Sequence, residues 1–239
     1  VEDVCETTSS ALPFAMISRS ALAAGASAAV RAGGHVADLR RDAWGHGILA
    51  VAQAVTAAGA ERVLVDSVGE IEALRLEGIV GVTSDEADID PTLLYGLPDE
   101  QGVLSTQPVM RLSGRVMSTK RLRAGDAVSY GYTYRAPAET TVALVTGGYA
   151  QGIVRALGNH AHVDVAGSAR PIIGRVAMDV CVVDLEGPES DIAPGSEVTY
   201  FGGWGAARAG VARWSAITGL AAAELVTVAG AHAVRGWEA

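Results

Sequence analysis

The sequence predicts an α/β part followed by an all-β part: a small parallel α/β layer, then a β-rich domain with a terminal helix. Three observations predict it. Between residues 35 and 82, short apolar runs alternate with stretches of helical period that end in glycine, the pattern of a βαβαβ unit with a parallel sheet. Residues 83–106 shift to acids, Pro91, Pro98 and polar turn residues. From Pro108 onward, runs rich in valine, threonine and tyrosine are punctuated by AGD, APA and PGS turns, which favours strands.

Taken in order, residues 1–12 read as a frayed terminus. Residues 20–32, rich in alanine with leucine and valine, read as a helix. His35 to Leu39 is a short strand. Residues 46–58 repeat apolar positions at helical spacing, and Gly59 is a fitting stop. Val63, Leu64 and Val65 form the continuous apolar run of a buried parallel strand. Residues 69–77 make a second amphipathic helix ended by Gly78, and Ile79 to Val82 a third strand. Residues 83–106 form a linker holding one short apolar element, Leu93 to Tyr95. Strands are expected over 109–122, 127–135, 140–147, 161–166, 171–185 and 195–201, and a helix over 209–229. The domain division is placed between residues 106 and 107.

The 239 residues are 49% hydrophobic, enough for one large domain or two small ones. No apolar run approaches the ~20 residues that span a bilayer. Val1, Glu2 and Asp3 form neither a basic n-region nor an h-region, so no signal peptide is expected. A net charge of −9 argues against a nucleic-acid partner, because phosphate binding needs a basic face. Cys5 and Cys181 make neither a disulfide framework nor a zinc site. A cytoplasmic setting is the expectation, and Cys181 reads as a small buried hydrophobe. His35, His160, His162 and His232 show no metal-ligand spacing. Of 18 basic residues, 17 are arginine, and Lys120 is the sole lysine.

Ordered motifs run through both halves. Asp42-Ala43-Trp44-Gly45-His46-Gly47 is similar to a D-A-Y-G-H-G loop. Leu94-Tyr95-Gly96-Leu97 resembles L-Y-G-L, and Val128-Ser129-Tyr130-Gly131 resembles V-S-Y-G. Gly148-Tyr149-Ala150-Gln151-Gly152 resembles G-Y-A-D-G. Gly174-Arg175-Val176-Ala177-Met178-Asp179 resembles G-R-x-x-M-D. Glu224-Leu225 and Arg235-Gly236-Trp237 are similar to a final E-L and R-x-Y. In this order they resemble the alanine racemases, pyridoxal-phosphate enzymes of fold type III. The resemblance covers roughly 35–82 and 90–239. It implies a (β/α)₈ barrel, typically ~250 residues, followed by a β-rich C-terminal domain. Here the segment before the linker has room for two or three strands, so a truncated, partial TIM-barrel-like layer is expected.

The resemblance also assigns roles. The Schiff-base lysine position is Arg40. An arginine stays protonated and cannot be the amine that forms an aldimine. Lys120 resembles no catalytic position. The arginine that pairs with the pyridine nitrogen matches Ile89 or Asp90. Two phosphate-holding tyrosines match Trp44 and Trp237, and an indole still offers one donor. Tyr149 matches the catalytic tyrosine, which works across a dimer interface. Met178 and Asp179 match residues at the substrate entrance.

Gly45 and Gly47 lead into a helix, a ready anion site or a plain βα turn. Arg40, Arg41, Asp42 and His46 cluster beside it, where two arginines either bind a carboxylate or phosphate or solvate a strand end. Three readings stay open. The first is a catalytically inactive pseudoenzyme or binding module without covalent pyridoxal phosphate, taking a small anion or amino acid. The second is a pyridoxal-phosphate-dependent racemase with an atypical site. The third is a chain that complements a full-length racemase-like partner. A homodimer is expected, with no nucleic acid, membrane or metal partner.

Overall fold

Strand β1 (Phe14–Ser18) buries Ala15 and Ile17 on alternate positions. It runs straight into helix α1 (Arg19–Arg31), whose N-terminus is capped by the Ser18 hydroxyl, accepting from the Ala21 N–H at 3.3 Å. The computed structural model describes residues 12–129 and 131–239. The terminus expected to fray, apart from Leu12, lies outside the described residues, as do Cys5 and Tyr130.

Next come strand β2 (Val36–Asp38), a single turn α2 (Arg40–Trp44) and helix α3 (Ile48–Ala58), stopped by Gly59 in the left-handed region. Strand β3 (Arg62–Leu64) leads into helix α4 (Val68–Leu76). A capping box fixes the start of α4: Ser67 Oγ accepts from the Glu70 N–H, and the Glu70 carboxylate accepts from the Ser67 N–H. Strand β4 (Gly81–Val82) and helix α5 (Pro91–Tyr95) complete this part.

β2, β3 and β4 form a three-stranded parallel sheet in that order, the layer expected from the pattern. The linker then returns across it. The N–H groups of Asp88 and Ile89 both donate to the Val36 carbonyl, and the Asp88 carboxylate accepts from the His35 and Val36 N–H groups at 2.7 Å. The outer edge of β2 is thereby covered, while β4 ends the sheet.

The second part contains β5 (Met110–Leu122), β6 (Ala127–Val128), β7 (Tyr134–Arg135), β8 (Thr140–Thr146), β9 (His162–Val165), β10 (Ser168–Ile173), β11 (Val180–Asp184) and β12 (Glu197–Phe201). It finishes with helices α6 (Gly210–Thr218) and α7 (Ala222–Ala231) and strand β13 (Val234–Glu238). Six strands close a ring in the order β5-β8-β11-β10-β9-β12, because β12 pairs with both β9 and β5. Every pairing in the ring is antiparallel. Closure leaves these strands no open edge.

Four readings of the sequence change. The run 127–135 is two short strands, β6 and β7, paired in a hairpin. The run 171–185 is broken after Ile173, where Gly174 takes a φ of 69°. The helix over 209–229 is two helices, bent by 109° after Gly219, whose φ is 74°. Strands β1 and β13 were not expected. β1 pairs in parallel with β13 and antiparallel with β5, so strand pairing crosses the division placed at residue 106. One hydrophobic core joins the halves, with Leu22, Val51 and Val63 in the same cluster as Leu112, Val145 and Trp214. Among the described residues, no single helix is long and apolar enough to cross a membrane.

Candidate functional site

In open parallel sheets, ligands gather at the carboxyl ends of the strands. Here Asp38 ends β2 and Arg40 follows it. The Arg40 guanidinium grips the Asp38 carboxylate with both arms, Nε to Oδ1 at 2.9 Å and Nη2 to Oδ2 at 2.6 Å, the bidentate geometry that makes arginine pairs strong. Burial alone would raise the Asp38 carboxyl. Hydrogen bonds from the Arg40 side chain and backbone, together with its charge, outweigh that and hold it below its usual value. Arg40 is raised in turn by the same carboxylate.

The chain then makes an unusual turn. Arg41, Asp42, Ala43 and Trp44 all have φ between 53° and 56°, a left-handed conformation costing roughly 1–2 kcal/mol for each residue with a Cβ. Such strain persists only where the surroundings over-determine it, and here they do. The Arg41 N–H donates to Asp66 at 2.6 Å. Asp42 accepts from the Ile48 N–H at 2.8 Å and is paired by Arg235. His46 Nδ1 lies 3.1 Å from the carbonyls of both Ala43 and Trp44, so Nδ1 carries a proton and donates.

The turn sends its rings inward. Trp44 stacks on Tyr95 with centroids 5.3 Å apart, and buried His46 stacks on the same ring at 4.3 Å. Burial pushes His46 down to about 4, against weaker opposing help from the Ala43 and Trp44 carbonyls, so the imidazole is neutral at pH 7. Burial also pushes the Tyr95 phenol up.

A surface cleft of about 420 Å³ opens on the other side of the loop, lined by Arg19, Asp42, Gly47, Gln53, Arg235 and Trp237 among others. The Arg19 guanidinium lies 4.7 Å from the centre of the Trp237 ring. Gly47 has a φ of 102°, and a Cβ there would sit 3.2 Å from Trp237. The start of α3 would favour an anion, but the Asp42 carboxylate already accepts from Ile48 and pairs with Arg235.

A second group forms on the barrel loops. Tyr149 opens a 3₁₀ turn and is exposed. The Tyr149 N–H donates to the Ala177 carbonyl and the Ala150 N–H to the Met178 carbonyl. Gln151 joins the two loops, accepting from the Gly148 N–H and donating to Asp179 at 2.8 Å. Tyr149, Met178 and Asp179 are thus brought together, with Tyr149 and Met178 43% and 55% exposed. Helix α7 links this group to the first. Its Ala229 backs onto Gly152 and its Gly230 onto Gly45.

The other candidates are placed apart. Lys120 is exposed on the barrel wall, opposite Val142 of β8. Ile89 is buried against Gly34. The Asp90 carboxylate caps α5, accepting from the Thr92 N–H and hydroxyl at 2.7 Å each. Cys181 is buried beside the Tyr200 hydroxyl, and burial pushes its thiol up to about 12. Among the described residues, no three His, Cys, Asp or Glu side chains are grouped to hold a metal ion. Reading the sequence missed Asp38 as the partner of Arg40, Arg19 over Trp237, and Tyr95 as the ring on which Trp44 and His46 stack. Asp38 had a signal, an acid two residues from a basic group at a strand end.

Residues 109–236, more than half of the chain, match the family described as alanine racemase, C-terminal domain. The chain belongs to the alanine racemase family. The alanine racemase of Mycolicibacterium vanbaalenii is 43% identical over 103 residues, covering 43% of this chain and 26% of that protein. The matched stretches span between 26% and 36% of the length of the curated alanine racemases. The crystal structure of alanine racemase from D-cycloserine-producing Streptomyces lavendulae superposes with a TM-score of 0.80 at 20% identity, covering 95% of this chain and 97% of that one. The alanine racemase of Bartonella henselae, with covalently bound pyridoxal phosphate, superposes with a TM-score of 0.75 at 16% identity, covering 95% and 99%. At these identities the structures show the fold.

The racemase family uses pyridoxal phosphate, and the residues present here do not fit its covalent attachment. Arg40, which the sequence resemblance sets against the Schiff-base lysine, is a guanidinium and is tied to Asp38. Asp90 spends its carboxylate on a helix cap. Trp44 turns its ring onto Tyr95. No chemical step through the cofactor follows from this arrangement.

Proposed function

We propose that this alanine racemase-like chain is catalytically inactive, a pseudoenzyme that has kept the racemase frame as a module for binding a small ligand or a partner chain. The observation that carries this reading is the bidentate Arg40–Asp38 pair at the end of β2. It puts a permanently charged, already partnered group where an aldimine needs a free amine. The ligand class is a small anion or amino acid, read from Arg19 over the Trp237 ring in the cleft that the Asp42–Arg235 pair also lines. The chain is read as a cytoplasmic homodimer, in which the exposed Tyr149 and Met178 surface faces the Trp44 to Gly47 loop of the other copy.

The test is an absorbance spectrum of the purified chain after incubation with pyridoxal phosphate, with borohydride reduction and an alanine racemisation assay alongside. The expected result is no visible aldimine band, no reduced adduct and no interconversion of D- and L-alanine. A borohydride-sensitive band with racemisation, both lost in Lys120→Ala, overturns this reading. It would establish instead a pyridoxal-phosphate racemase with a relocated lysine, in which the retained Tyr149 serves as acid and base.

A further inference from the structure

Two polar atoms in the interior have no hydrogen-bond partner among the described residues and share one wall: His46 Nε2 and Tyr95 Oη. His46 is fully buried and Tyr95 is 1% exposed. Both line a cavity of about 10 Å³, whose other walls include Met110, Phe201, Val226 and Arg208. The protonation of the imidazole is fixed from its far side. Nδ1 donates to the carbonyls of Ala43 and Trp44, so Nε2 carries only a lone pair and needs a donor. The Tyr95 hydroxyl can both donate and accept. An acceptor and a hydroxyl shut away without partners are costly, and native interiors resolve this with buried water where a cavity holds one molecule and offers it two or more polar groups.

We infer that this cavity is a binding site for a single water molecule, which donates to His46 Nε2 and hydrogen-bonds Tyr95 Oη. The volume is that of one water and excludes an organic guest. Arg208 among the lining residues, with no carboxylate beside it there, disfavours a cation. The site joins separate pieces of the chain: His46 from the loop before α3, Tyr95 from α5, Met110 from β5, Phe201 from β12 and Val226 from α7. The water therefore ties the parallel layer to the barrel half, and it satisfies the Nε2 lone pair that the Nδ1–H tautomer of His46 leaves facing inward. None of this depends on whether the chain is catalytic.

The experiment is a high-resolution crystal structure of the unmodified chain, with NMR on the same protein. A density peak within about 3.2 Å of both atoms, and a long-lived water cross-peak to the Tyr95 ring protons, are expected. Density showing a dry cavity, or Oη bonded directly to Nε2, overturns the inference. Tyr95→Phe keeps the stacked ring and removes the hydroxyl, so the cross-peak should fall several-fold. An undiminished cross-peak in that variant also overturns it. Should Tyr95→Phe fail to fold, the density in the unmodified chain decides.

Discussion

Gly45 and Gly230 meet backbone to backbone: a Cβ on Gly230 would lie 2.7 Å from the Gly45 carbonyl oxygen and 2.8 Å from its Cα. The contact presses the loop before α3 against α7. In an ordinary helix interior, glycine to alanine gains about 1 kcal/mol. Here the neighbour is backbone and cannot rotate away, and overpacking of this kind costs about 1–3 kcal/mol. Gly230→Ala should therefore destabilise the protein by about 1–2 kcal/mol, the opposite sign to its propensity. Urea denaturation measures it, and a stabilised variant would refute the contact.

Restoring a lysine should not restore the cofactor. Arg40→Lys places an ammonium beside Asp38, which holds it protonated and paired, since an opposite charge favours the charged form. An amine that attacks an aldehyde must be free. The variant should remain without a visible band when mixed with pyridoxal phosphate. The double change Arg40→Lys with Asp38→Asn is the comparison, and a band in the single variant equal to that in the double would show that Asp38 plays no part.

Acid should weaken the protein through His46. Its folded value is lowered from 6.5 to about 4, so the unfolded chain takes up a proton first. The stability from neutral burial is complete above pH 6.5 and is lost as pH falls toward 4. The shift corresponds to about 3 kcal/mol across that window. Asp38 adds a separate loss at lower pH, because its folded value is depressed and its contribution disappears only as it protonates. Chemical denaturation at pH 7.5 and 4.5 should show the His46 drop. A His46→Gln variant with the same drop would assign it elsewhere.

Strand β1 should matter as much as any strand of the barrel. Ile17 is fully buried and lies between β5 and β13. Ile17→Ala should cost about 2–5 kcal/mol. A thermal or urea midpoint unchanged by that substitution would mean that the strand is dispensable.

Light scattering should give the mass of two chains, with Met178→Asp shifting it toward one. Met178 is 55% exposed beside Tyr149, and an added carboxylate would lie in the apolar part of the expected contact. A monomer mass for the unmodified chain at all concentrations rules the dimer out.

Some of this was legible in the residues and some was not. The βαβαβ layer announced itself through glycine stops at Gly59 and Gly78 and the Val63–Val65 run. The arginine at position 40 was visible directly. Barrel closure was not, because the β5–β12 pairing joins residues far apart in sequence and leaves no local pattern. β13 was hidden because half-buried Arg235 and Trp237 do not alternate cleanly. The left-handed turn was invisible for a different reason. Of Arg41-Asp42-Ala43-Trp44 only aspartate tolerates positive φ more readily than most residues, and tertiary partners such as Asp66, Arg235 and Gly230 impose it on the run.

The pairing of β1 with β13 fixes an order of events during folding. Residues 14–18 take their outer neighbour from residues 234–238, roughly 220 positions later, a closure whose entropy cost comes before any reward. β1 cannot gain this second neighbour before β13 has been synthesised. β5 takes one side of β1 as soon as residues 110–122 have been made, but its other side stays open until residues 234–238 follow, so for more than a hundred further positions the growing protein presents a strand with one free edge.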